Sequence, residues 1–155
     1  MKATIRKAVL SDFNEILRLN KALFDFEARF NQKYNLDWTY SEVGRGYFKK
    51  RFESEHSLIY VAEIEGKTIG YIMAFIDTYP YRSVNPICEI DNMFVEEAYR
   101  GKGSGGDLVK AVKTRAQEKG AKIIRVGAIA QNDKTLNFYR IQGFNVTNVY
   151  LETEL

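Results

Sequence analysis

Apolar and polar positions recur with two different periods along this chain, and each change of period marks an element. Phe13, Ile16, Leu17, Leu23 and Phe24 fall at helical spacing, which predicts an amphipathic first helix running on to Phe30. Ser11 is placed to cap it, and Asp12 and Glu15 suit the positive end of its dipole. A short strand, Thr4 to Ala8, comes before it. A second helix is predicted from a Ser41 cap to Phe52, weakened by Gly44 and Gly46. Period-two runs then predict strands from Leu58 to Ile64 and from Lys67 to Ile76, joined by the hairpin-type turn Glu65-Gly66.

The second half alternates strand and helix. Ile87 to Val95 is rich in β-branched and aromatic residues and reads as a strand. The next helix carries Leu108, Val109 and Val112 on one face, with Lys110, Lys113 and Arg115 away from it. A strand from Ala121 to Ile129, a helix from Asp133 to Gln142 stopped by Gly143, and a last strand from Phe144 to Leu151 complete the pattern. The order β-α-α-β-β-β-α-β-α-β predicts an α/β fold: a mixed, partly parallel sheet with helices on both faces, in three layers. The segment 31–40, with Tyr34, Asp37, Trp38 and Tyr40, and the segment 78–86, with Tyr79, Tyr81 and Arg82, read as loops.

Length and composition narrow the picture. A chain of 155 residues predicts one domain, 1–155, able to bury a real core. Hydrophobic content of 45% and two prolines exclude a disordered chain. No apolar run reaches the roughly 18 residues that span a bilayer, and the first residues lack a signal-peptide apolar region. Cys88 is the only cysteine, so no intrachain disulfide forms, and a cytoplasmic protein is expected. Lys plus Arg is 23 and Asp plus Glu is 20, an excess too weak to predict nucleic-acid binding. No metal-ligand spacing is present.

The chemistry concentrates in the loop between the strand at Ile87 to Val95 and the helix after it. Arg100, Gly101, Lys102, Gly103, Ser104, Gly105 and Gly106 make a glycine-rich turn opening a helix, where free N–H groups and the macrodipole attract an anion. Arg100 and Lys102 add mobile positive charge, while Asp107 mildly opposes a phosphate. A Walker A loop fails here, because Gly106 is followed by Asp107 and Leu108 instead of Lys and Ser/Thr. Gly101, Gly103 and Gly106 meet a dinucleotide fingerprint literally, but residues 96–100 separate them from the strand and no acidic residue closes the next strand. The third reading is R/Q-x-x-G-x-G/A, matched by Arg100, Gly103 and Gly105.

That loop with its lead-in resembles the central motif of the GNAT superfamily of N-acetyltransferases. A second segment, Asn132 to Phe144 with Leu136, Tyr139 and Gly143, is similar to the family's N-x-x-A-x-x-L/F-Y-x-x-x-G-F, with Thr135 replacing the common alanine. The resemblance covers roughly 87–144. It implies that acetyl-CoA is the co-substrate, its diphosphate held by Arg100, Gly101, Lys102, Gly103, Ser104 and Gly105. It also implies a bulge near Asn92 to Phe94 that splays two strands, leaving backbone of Met93, Phe94 and Val95 for the pantetheine arm and one N–H for the thioester oxygen. Asn132 resembles the residue that contacts that arm. Family members place a base at one of two positions, here Glu89 or Asp91, with Glu89 the first choice. Tyr139 takes the part of the acid that protonates the leaving thiolate. The aromatic residues Phe26, Phe30, Tyr34, Trp38, Tyr40, Tyr47 and Phe48, with Glu27 and Asp37, are acceptor-site candidates that packing into the core also explains.

Relatives usually carry two strands after the last helix, whereas 12 residues follow Gly143 here. Either one strand serves for both, or a neighbouring chain completes the sheet in a homodimer. The expected activity is acetyl transfer to a small-molecule or protein amine by direct attack in a ternary complex. A non-catalytic acyl-CoA sensor is the alternative.

Overall fold

A computed structural model describes residues 1–155. The elements are β1 (Thr4–Lys7), α1 (Phe13–Glu27), α2 (Glu42–Glu53), β2 (Ser57–Ile64), β3 (Lys67–Asp77), β4 (Ile87–Val95), α3 (Ser104–Glu118), β5 (Ile123–Val126) and α4 (Asp133–Ile141). The strands form one sheet in the order β1-β2-β3-β4-β5. Neighbours are antiparallel from β1 to β4, and β5 runs parallel to β4 after the α3 crossover.

Alternation along the strands sends side chains to two cores. Leu58, Ile72, Ala74, Cys88 and Ile90 meet Leu108, Val109, Val112 and Ala116 of α3. Ile59, Val61, Tyr71, Met73 and Phe94 meet Ile16, Leu17, Leu19 and Leu23 of α1 and Phe48 of α2. Most are fully buried, each worth about 1.5–3 kcal/mol of apolar transfer. The three-layer α/β arrangement is the one the patterning predicts.

Several expected details shift. The last predicted strand does not form: residues 144–155 have no regular structure, and Tyr150 and Leu151 are almost wholly exposed. The sheet therefore has five strands, because β-propensity alone supplies no partner ladder for this segment. Ser11 is not a cap; it lies in a 3-10 turn, Leu10–Asp12, where the Asp12 carboxylate accepts from Val9 N–H and pairs with Arg6 at 2.8 Å. α1 ends at Glu27, and β5 spans only Ile123–Val126. Ser41 does cap α2 by accepting from Gly44 N–H, and Gly143, at φ +92°, ends α4. No helix is long and apolar enough to cross a membrane.

Candidate active site

β4 changes phase in mid-strand. Met73 pairs with Asn92 and Ala74 with Ile90, so Asp91 has no partner on β3. This is a β-bulge, one residue before the expected span of Asn92 to Phe94. The side chains record it: Cys88 and Ile90 face α3, yet beyond the bulge Met93 and Val95 do so, and Phe94 turns toward α1. On the other edge, β5 pairs with β4 only from Ile87 to Ile90. The parallel ladder therefore opens where the bulge begins.

Beyond that point β4 keeps β3 on one side and loses β5 on the other. The Val95 carbonyl accepts from Arg100 Nε at 2.8 Å, so it points away from β3. By alternation the Met93 backbone points the same way, into the opening, while Phe94 pairs with Tyr71. Met93 N–H and C=O and Val95 N–H thus remain for an extended ligand, since the Val95 carbonyl is taken by Arg100, and Phe94 supplies a ring below them.

The glycine loop follows directly. Gly101 and Gly103 sit at φ +76° and +89°, the left-handed region that side chains rarely adopt. Gly103 is the N-cap of α3 and brings no side chain to cap it, so the first-turn N–H groups of Ser104, Gly105 and Gly106 face outward. Gly105 lies against the sheet: an added Cβ would come within 3.2 Å of Met93 Cε and of the Phe138 ring. Ser104 is buried. Arg100 is not the mobile charge expected from sequence. It is pinned by the Val95 carbonyl and stacked over Phe26 and Phe94, 4.5 and 5.0 Å from the ring centroids. Lys102 remains exposed near the Tyr99 ring. An uncapped helix start beside an open ladder fits a ligand with a diphosphate at one end and an amide-bearing arm at the other.

Glu89 and Asp91 share one face of β4, as period two requires, but their surroundings differ. Glu89 Oε2 accepts from Arg125 Nη2 at 2.8 Å, Arg125 Nε at 3.0 Å and Tyr79 O–H at 3.0 Å. Asp91 has one charged neighbour, Arg51, with Nε 3.9 Å from Oδ2, beyond hydrogen-bond reach. Its side chain is 26% exposed, and burial pushes its carboxyl up to about 6.

Tyr139 lies on α4, its ring packed between Phe138 and Phe144, with Oη 4.0 Å from Met93 Sδ. Burial first, and the nearby Glu27 charge second, hold its phenol well above the ordinary value. Asn132 is buried and caps α4, its Oδ1 accepting from Thr135 N–H at 3.2 Å. Most of the aromatic residues named as acceptor candidates are core: Trp38 stacks on Phe24 and packs against Tyr47 and Phe48. Tyr40 is exposed. Cys88 is fully buried, and burial pushes its thiol up to about 11. His56 is exposed beside Glu55. Arg51 and Arg125, which organise the two carboxylates, carry no local sequence signal and are the residues that sequence reasoning missed.

The Acetyltransferase (GNAT) family model matches residues 20–144. An uncharacterised N-acetyltransferase of Bacillus subtilis is 32% identical over 140 residues, which cover 90% of this chain and 88% of that protein. An uncharacterised N-acetyltransferase of Methanocaldococcus jannaschii is 26% identical over 147 residues, 94% of this chain; the chain spans 62% of that protein's length. Among solved structures, the aminoglycoside acetyltransferase AAC(6')-Iy with a coenzyme A bisubstrate analogue superposes with a TM-score of 0.77 at 16% identity, over 100% of this chain and 99% of that one. With the loop, the open ladder and these matches in agreement, the chain belongs to the GNAT family of acetyltransferases.

Proposed function

We propose that this chain transfers the acetyl group of acetyl-CoA to an amine by direct attack, with Asp91 as the base. The observation that carries the reading is the opening of the β4–β5 ladder at Asp91, one strand-length from an uncapped glycine loop. The loop N–H groups, with Lys102, take the diphosphate. The free backbone of Met93, with the Val95 N–H, takes the amides of the arm. Asn132, buried at the start of α4, is the side chain assigned to contact that arm.

Each remaining step falls to a residue of this chain. An alkyl amine is mostly protonated near neutral pH, so the site must remove a proton before nitrogen attacks. Asp91 accepts it, since a carboxyl near 6 is ionised at pH 7 yet far more basic than an ordinary aspartate. Glu89, the first choice from sequence, has its oxygen committed to Arg125 and Tyr79 and serves to orient that pair. As the N–C bond forms and the C–S bond breaks, a backbone N–H in the opening meets the oxyanion. Tyr139 gives its proton to the departing thiolate. Its raised pKa keeps the phenol protonated over the whole working range.

The test is thiol release from acetyl-CoA across amino acids, polyamines, aminoglycosides and lysine peptides. Turnover with at least one amine is expected; coenzyme binding without turnover on any would leave a sensor in place of an enzyme. Tyr139→Phe is expected to lower kcat by about 10- to 100-fold with little change in coenzyme affinity. An unaltered kcat would take Tyr139 out of the mechanism.

A further inference from the structure

We infer that the acceptor is an α-amino carboxylate, its amine set on Asp91 and its carboxylate on Arg51; this rests on the acetyltransferase reading above. Arg51 comes from the last turn of α2 and reaches across β3 to the bulge. Its guanidinium carbon sits over Phe75, 3.8 Å from the ring centroid, with the Tyr47 ring at 5.2 Å. The side chain is three-quarters covered. The chain nevertheless offers it little: Nε reaches Tyr47 Oη at 3.4 Å, and the two terminal nitrogens donate to no group of the protein. A covered guanidinium with its outer fork free is shaped for a planar anion, because carboxylate oxygens match the fork two at a time.

Charge bookkeeping on this face selects the ligand further. Glu89 is neutralised by Arg125, which approaches at 2.8 Å from β5. What remains beside the bulge is Asp91, 3.9 Å from Arg51 Nε, with Asp77 of β3 also acting on that guanidinium. A zwitterion matches Asp91 and Arg51, its amine on the carboxylate and its own carboxylate on the free fork, and an α-amino acid is the compact form of that zwitterion. A polyamine or aminoglycoside would carry its other positive charges toward Arg51 and be repelled. Carboxylate seated on Arg51 also leaves the amine beside Asp91 and the end of the open ladder, where attack has to occur.

The experiment compares, on the unmodified protein, L-amino acids with their amides and with the matching decarboxylated amines. The acids are expected to lead in kcat/KM by about 10- to 100-fold, the worth of one charge-assisted carboxylate contact, with the difference in KM. Arg51→Gln should bring the acids down to the level of the amides. Arg51→Lys, which keeps the charge without the fork, should restore part of the gap; melting curves and coenzyme affinity report that both variants are folded. Equal rates for acid and amide in the unmodified protein would overturn the inference while leaving acetyl transfer intact. Calorimetry of the same amino acids into protein loaded with coenzyme A gives a readout independent of turnover. Binding that Arg51→Gln abolishes upholds the carboxylate site even where no amine is acetylated, and absence of binding to the unmodified protein refutes it.

Discussion

Asp91→Asn is expected to lower kcat by about 10²- to 10³-fold and to erase the acidic limb of the kcat/KM profile. With Asp91 in place that limb should bend near pH 6, because the carboxyl must be ionised to take the proton and burial raises it to about 6. Asparagine keeps the shape and cannot accept a proton, so the surviving rate should follow only the ionisation of the amine itself. A full rate for Asp91→Asn, with the bend near pH 6 still present, would move the proton to bulk water. Glu89→Gln tests a different thing. It breaks the pair with Arg125, and its effect should be a shift in position and affinity rather than the loss of a limb.

The same substitution should stabilise the fold, and the sign follows from linkage. The folded carboxyl titrates near 6, above the ordinary 3.8 of the unfolded chain. Below about pH 4 both states hold the proton and Asp91 costs nothing. As pH rises from about 4 to 6 the unfolded state ionises first, so stability falls, and above 6 the penalty is complete. A rise of that size corresponds to at most about 3 kcal/mol. Since 26% of the side chain is open to water, about 1–2 kcal/mol is expected. Asp91→Asn should therefore melt above the parent at pH 7 and level with it near pH 3.5. A cost in stability at the place of highest catalytic demand is what a site residue, and not a structural one, shows.

Gly103→Val should weaken coenzyme A binding by about 10²-fold or more, read by calorimetry. No neighbour lies within 4 Å of an added Cβ, so the obstacle is conformational: φ is +89°, which a β-branched residue reaches only at a cost of about 1–3 kcal/mol. The loop relieves that strain by rotating its peptides, which turns the first N–H groups of α3 off the phosphate. Losing two charge-assisted hydrogen bonds at about 1.5 kcal/mol each already gives two decades in affinity. Gly46→Ala on α2, also with free space, is the control; it should add about 0.5–1 kcal/mol of stability without touching affinity. Undiminished binding by Gly103→Val would show that the loop does not hold the diphosphate.

The loop was readable because its constraint is local. A helix start with glycines at Gly101 and Gly103 has its geometry set by a few neighbouring dihedrals, and the motif around Arg100, Gly103 and Gly105 states them directly. The facing of Leu108, Val109 and Val112 into the core was equally plain, since period alone decides it. The base was not readable to the same depth. Glu89 and Asp91 sit two residues apart in sequence and look interchangeable. They differ only because Arg125, from β5, closes on one, while Arg51, from α2, stops short of the other.

What the amino-acid order determined by itself is therefore the succession of elements as far as α4, the two buried faces of the sheet and the glycine turn that opens α3, since all three depend on periodicity and backbone conformation over a few residues. The folded arrangement decided the rest. It placed the bulge at Asp91, ended β5 so that the ladder opens there, fixed Arg100 to Val95, and left residues 144–155 outside the sheet. These outcomes depend on which distant residues come to lie side by side, and burial and charge act on a carboxylate only once those neighbours have arrived.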